Sequence, residues 1–253
     1  MASNPPLPPE PPSPSGLNPA YTPPPPPPPI EPGGVIPPPA GGPPLLPWEQ
    51  PGYPFLEGLY ETAKLFFTEP TAAFERMQLG GELGRPILYA IIFGWLGTIA
   101  GQVYNIVMGG AMYKLLPHMP EGPDFGSNPL FNVGVMVVAP LLVLIALFVG
   151  AAIYHLFLLL YGGASSGFGA TVRVLCYAST VQILQVLPIC GGLVGAVWGI
   201  VLQVIGLAVA HRTTRVKAAG AILTPILLCC LCAVLILVLA FGGALAAARG
   251  AMR

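Results

Sequence analysis

Apolar residues gather into five stretches after residue 86, near 87–109, 131–160, 171–187, 189–210 and 221–247. Helices of about 17 to 25 residues suit a bilayer core about 30 Å thick, so each stretch predicts a membrane span. The second is too long for a straight crossing; it must tilt, bend near Pro140 or continue beyond the bilayer. The third is short. Pro188 stands between it and the fourth with almost no loop, which predicts a tight antiparallel hairpin.

Ahead of these stretches the pattern changes twice. Residues 55–67 place Phe55, Leu56, Leu59, Tyr60, Ala63, Phe66 and Phe67 on one helical face, with Glu57, Glu61 and Lys64 opposite. That is an amphipathic helix, too short to span. It lies either in the headgroup region or against the bundle. Pro70 heads a second short helix over 71–79. Residues 1–54 hold 24 of the 33 prolines, including Pro23 to Pro29, and only Glu10, Glu31 and Glu49 as charges. Such a tail builds no core; it is expected to be disordered, sampling polyproline II as a linker or as a docking segment for protein partners. The expected fold is therefore all-α: a disordered proline-rich tail over 1–54, then a membrane domain over 55–253 with a short amphipathic helix and a polytopic bundle of about five spans.

Composition agrees, with 54% hydrophobic and 8% charged residues against about 25% charged in soluble domains. The charges are also segregated. All ten acids lie at or before Asp124, while Arg173, Arg212, Arg215, Lys217, Arg249 and Arg253 follow it. Basic residues are retained on the cytoplasmic side. Lys64, Arg76, Arg85, Arg173, Arg212, Arg215 and Lys217 fall on the N-terminal side of the membrane, and Lys114, Arg249 and Arg253 on the other. The N-terminus is thus expected inside, the C-terminus outside and the loop from 117 to 129 external. No basic segment followed by an apolar one opens the chain, so the first span is expected to direct insertion.

Candidate chemistry is sparse. Gly163-Ala164-Ser165-Ser166-Gly167 spells G-x-S-x-G, but it joins two spans and no acid follows it, so no hydrolase triad is available. The five cysteines all sit in apolar runs and read as reduced, small hydrophobes; Cys229, Cys230 and Cys232 lack a nearby His, Met or acid to complete a metal site. His118, His155 and His211 are far apart in sequence. No catalytic residue, cofactor site, metal site or nucleic-acid partner is expected. Gly94, Gly97, Gly101, Gly191, Gly195 and Gly199 form small-residue seams for close helix packing or for an oligomer. Gln102, Asn105, Arg173, Gln182, Gln185 and Gln203 would line a polar path if the protein were a small transporter or channel subunit, although no span carries a carboxylate. Arg173, in the first turn of the third span, is placed to snorkel to headgroups; with His211, Arg212, Arg215 and Lys217 it would offer anionic lipid a basic surface.

Gly162-Gly163, Phe168, Ala170-Thr171, Arg173-Val174, Tyr177-Ala178-Ser179, Pro188, Gly191, Trp198, Gly206-Leu207 and His211 form a pattern that resembles the Yip family of membrane proteins in its prokaryotic form. Phe74 and Arg85-Pro86 fit it, and Glu82-Leu83-Gly84-Arg85-Pro86 is a partial echo of a D-L-x-G-P signature in eukaryotic relatives. The resemblance spans about residues 55–247. It implies five helical spans with a cytoplasmic N-terminus; the expected function is that of a non-enzymatic protein that organises or scaffolds the membrane, with a small transporter or channel subunit as the alternative. In eukaryotic members it implies binding of prenylated Rab or Ypt GTPases and of one another. The excess of Ala, Gly and Pro suits a high-GC bacterial genome, and so a bacterial cytoplasmic membrane is expected; a eukaryotic source would place the protein in the ER or Golgi.

Overall fold

In the computed structural model, Pro54 ends a proline-rich run and helix α1 begins at once, over Phe55–Thr68. The structure describes residues 44–115, 128–188 and 190–251. The proline-rich tail up to Pro43 and the loop over 116–127, with His118, Glu121 and Asp124, lie outside the described residues.

Glu69 separates α1 from α2, Pro70–Arg76, whose proline occupies the first turn, where a missing N–H costs nothing. Then come α3, Gly84–Leu115, and α4, Pro129–Leu160. Asn128 caps α4 by accepting from Leu130 N and Phe131 N at 3.0 and 3.4 Å, satisfying two otherwise orphaned donors. α5, Gly167–Ala178, runs into a 3-10 segment, Ser179–Val186. α6, Gly191–Ala210, and α7, Arg215–Ala251, complete the order. No strand occurs among the described residues.

Among the described residues four helices are long and apolar enough to cross a membrane: Gly84–Tyr104, Pro129–Leu160, Gly191–Ala210 and Arg215–Gly242. The third predicted stretch differs from the expected single span. It divides into 12 α residues and 8 3-10 residues, about 18 and about 16 Å of axial rise. The cause is local: at the junction Ser179 Oγ donates to Cys176 O at 2.6 Å and Thr180 Oγ1 to Tyr177 O at 2.7 Å. Hydroxyls that take carbonyls of the last α-turn compete with the i to i−4 ladder.

This composite leg is the interior of the bundle. Ala170, Val172, Arg173, Val174, Cys176, Tyr177, Ala178 and Thr180 are all buried, and the 3-10 segment packs between α3 and α6. Glycines make that passage: a Cβ on Gly97 would stand 2.8 Å from Gln182 O, and one on Gly191 2.0 Å from Leu184 O. Gly94 likewise faces Val143, and Gly206 receives Phe74 of α2. The glycine seams read as packing or oligomer surfaces are thus filled from within the chain.

Outward faces invert the pattern of a water-soluble protein. Val137, Leu160, Leu193, Leu227 and Phe241 are exposed, far more apolar surface than a soluble monomer presents. Most of the apolar length of α4 and of α7 is left uncovered by the rest of the protein. Lipid is the missing solvent. α1 packs one side against the bundle: Gly58, Thr62 and Phe66 are buried, whereas Phe55, Leu56 and Tyr60 face out.

Candidate functional site

The root of the tail is part of the core. In the proline-rich segment, Leu45-Leu46-Pro47-Trp48-Glu49 is an apolar interruption. Pro47–Glu49 closes a single 3-10 turn, burying Leu46, Trp48 and Glu49. Trp48 and Arg85 clamp each other: the indole Nε1 donates to Arg85 O at 2.8 Å, and Arg85 Nη1 donates to Trp48 O at 2.9 Å and Gln50 O at 3.2 Å. Trp48 N also donates to Thr62 Oγ1 of α1 at 2.9 Å.

Glu49 carries this strap into the bundle. Its Oε1 accepts from the Tyr177 hydroxyl at 2.7 Å, its Oε2 accepts from Gln78 N at 2.8 Å, and Arg173 Nη1 lies 3.8 Å from Oε1. Arg173 is 2% exposed. Its Nη2 donates to Gly80 O, Gly81 O and Glu82 O at 2.8, 2.6 and 2.9 Å; with two hydrogens for three acceptors, one bond is shared. Burial raises the Glu49 pKa, opposed by the Gln78 N–H, the Tyr177 hydroxyl and the positive charges of Arg173 and Arg85. Arg173 does not snorkel to headgroups: it is buried inside the bundle, because Glu49 and the loop before α3 supply its partners. The apolar break at Leu45–Trp48, followed by a lone acid, is the sequence signal for this pairing.

At the ends of α4 and α6 two loops lock together. Both helices close with the same cap: Gly163 N donates to Leu158 O at 2.8 Å with Gly162 at φ +63, and Thr213 N donates to Ala208 O at 3.0 Å with Arg212 at φ +48. Glycine is the usual residue at that left-handed position. Arg212 there costs about 1 kcal/mol. His211 is buried and joins the loops. Its Nδ1 accepts from Ser166 N at 3.2 Å, its carbonyl accepts from Ser165 Oγ, and its Nε2 meets Thr171 Oγ1 at 2.9 Å. Thr171 Oγ1 is in turn 2.8 Å from His155 Nδ1. With Nδ1 accepting, the proton belongs on Nε2, so the ring is neutral and donates to Thr171. Burial, with the nearby His155 adding to it, lowers the His211 pKa to about 4.

Over these loops lies an open pocket of about 610 Å³ whose wall includes Gly162, Ser165, Arg212, Thr213, Thr214 and Lys217. Lys217 Nζ donates to Gly162 O at 3.2 Å, and Arg212 and Arg215 are exposed. Of the basic residues, Arg212, Lys217 and the buried His211 line this pocket, Arg215 is exposed at the start of α7, and Arg173 belongs to the Glu49 strap.

The amides form a third locus. Gln185 Nε2 donates to Gln182 Oε1, and both residues line two cavities beside the 3-10 segment together with Gln203. The Asn105 side chain lies outside the described residues. Cys176 is buried, whereas Cys190, Cys229, Cys230 and Cys232 are exposed on the flanks of the bundle. Among the described residues no group of three His, Cys, Asp or Glu gathers as a metal site would.

Residues 64–237 match the family model of the Yip1 domain. The chain belongs to the Yip family. Neither the curated proteins nor the solved structures compared with it gave a match. The Yip pattern legible in the sequence falls on packing positions: Arg173, Tyr177, Leu207 and His211 are buried, and Gly163, Gly191 and Gly206 sit against Leu158, Leu184 and Phe74. In this Yip-family membrane protein those residues hold the interior leg, its caps and the N-terminal strap.

Proposed function

We propose that this protein is a non-enzymatic membrane scaffold that presents its proline-rich segment to partners on the cytoplasmic side from a fixed root in the bundle. The observation that carries the reading is the strap itself. A linker with no mechanical role needs no buried anchor, yet Trp48 and Glu49 engage α1, the loop before α3, and α5 through charged and neutral hydrogen bonds. A segment rooted in this way transmits the position of a bound partner to the membrane domain. The count of basic residues supports a cytoplasmic location for the strap and for the Arg212–Lys217 surface. That surface, with no acid after Asp124, suits anionic headgroups of the inner leaflet.

The test is crosslinking and affinity capture from native membranes with the full chain, beside a version lacking residues 1–43 and the variant Trp48→Ala. The scaffold reading expects defined partners on the full chain, their loss on removal of the tail, and weakened coupling to the membrane domain in Trp48→Ala. Solute flux into proteoliposomes by the purified protein, without tail-dependent partners, would replace scaffold with transporter.

A further inference from the structure

The two cavities beside the 3-10 segment share the walls Val181, Gln182, Gln185 and Gln203, and each measures about 240 Å³. Gln203 Oε1 is buried without a hydrogen-bond partner. The Gln185 to Gln182 bond uses one donor and one acceptor of that pair and leaves Gln182 Nε2 and Gln185 Oε1 for a ligand. Three amides thus converge on space large enough for a glycerol-sized group, roughly eight waters at about 30 Å³ each.

No Asp, Glu, Lys, Arg or His lines either cavity. An ion there would lie at membrane depth without a counter-charge, so the site selects against ions. An uncharged group that both donates and accepts, such as a hydroxyl, matches the amides. The openings decide where it comes from. Ala146 in the first cavity and Gly192 and Ala196 in the second are exposed lining residues on the spanning helices α4 and α6, so both mouths face acyl chains. The second cavity follows α6 from Gly191 to Gln203, about 18 Å along the axis, from the end of the span towards its middle. Ala90 and Leu147, which line the first cavity, belong to an apolar cluster with Ala151, Val172 and Cys176, each no more than 7% exposed. That packed wall on the first cavity favours binding over passage.

We propose that these cavities bind the glycerol hydroxyl region of an uncharged bilayer lipid, with its acyl chains leaving between α6 and the 3-10 segment. The probe is 1,2-dioleoylglycerol in phosphatidylcholine nanodiscs containing the full chain, read by native mass spectrometry of the released protein. The wild type should retain dioleoylglycerol. Gln203→Leu and Gln182→Leu should each lower retention about three- to tenfold, the worth of one hydrogen bond. Ala196→Phe, which obstructs the mouth from an exposed position, should lower it without touching an amide, and keeps the proposal testable if an amide variant fails to fold. Leu231→Ala, on the exposed flank of α7, should leave it unchanged. Absence of retention by the wild type, retention indifferent to all three site variants, displacement by free glycerol, or preferential retention of dioleoyl phosphatidylglycerol would each overturn it.

Discussion

Replacing Arg173 with methionine keeps much of the side-chain length and removes the charge, which isolates the strap's central interaction. In the wild type the guanidinium satisfies three carbonyls of residues 80–82 and faces Glu49 at 3.8 Å from a position 2% exposed. The variant leaves those carbonyls without their donor and Glu49 with Tyr177, Gln78 N and the more distant charge of Arg85. Removing one partner of a buried pair costs about 3–5 kcal/mol, most of it the penalty on the stranded partner. On the scale of about 2–4 °C per kcal/mol for a chain of this size, thermal unfolding in detergent should fall by roughly 6–20 °C. Glu49→Gln should cost less, since an amide still accepts from Tyr177 and no anion remains to be stranded. The double variant should be more stable than the sum of the single losses predicts, by about 1–3 kcal/mol, because the two side chains share one network. The strap should also become protease-sensitive near Trp48 in Arg173→Met. A melting point within about 2 °C of wild type, or effects that add to within about 0.5 kcal/mol, would refute the network and with it the rooted-tail argument.

Three further outcomes are expected, two from the geometry and one from the count of basic residues. Gly191→Ala should destabilise by about 3 kcal/mol or block folding, because its Cβ would stand 2.0 Å from a backbone carbonyl. Gly192→Ala, with nothing within 4 Å, should be within about 0.5 kcal/mol of wild type. Paired melting curves in detergent check both. His211 is held neutral with a folded pKa lowered from 6.5 to about 4, so its stabilising contribution is complete above about pH 6.5 and is lost as the pH falls towards about 4. A pH series comparing wild type with His211→Gln should show that loss in the wild type and a flatter profile in the variant. Reporter fusions after Lys217 and after Arg253 should read cytoplasmic and external respectively; the reverse pattern would invert the orientation.

The apolar stretches, their approximate limits and the proline-bounded hairpin were legible in the sequence because partition into a bilayer is local: each segment is selected by its own length and hydropathy. Membership in the Yip family was legible for a related reason, since glycines and turn residues mark where backbones must touch or reverse. What tertiary structure decided was everything that depends on a distant partner. Arg173 looks like a lone cation in an apolar run until Glu49, far back in a segment that reads as tail, is folded against it. His211 looks like part of a basic loop until Ser166 and Thr171 fix its ring in the neutral form. The third leg reads as one span, yet hydroxyl bonds at Ser179 and Thr180 and the glycines of α3 and α6 turn its second half into a 3-10 segment. Hydropathy is a sum over neighbours in sequence, whereas pairing a buried charge or filling a seam is settled between residues that only the fold brings together.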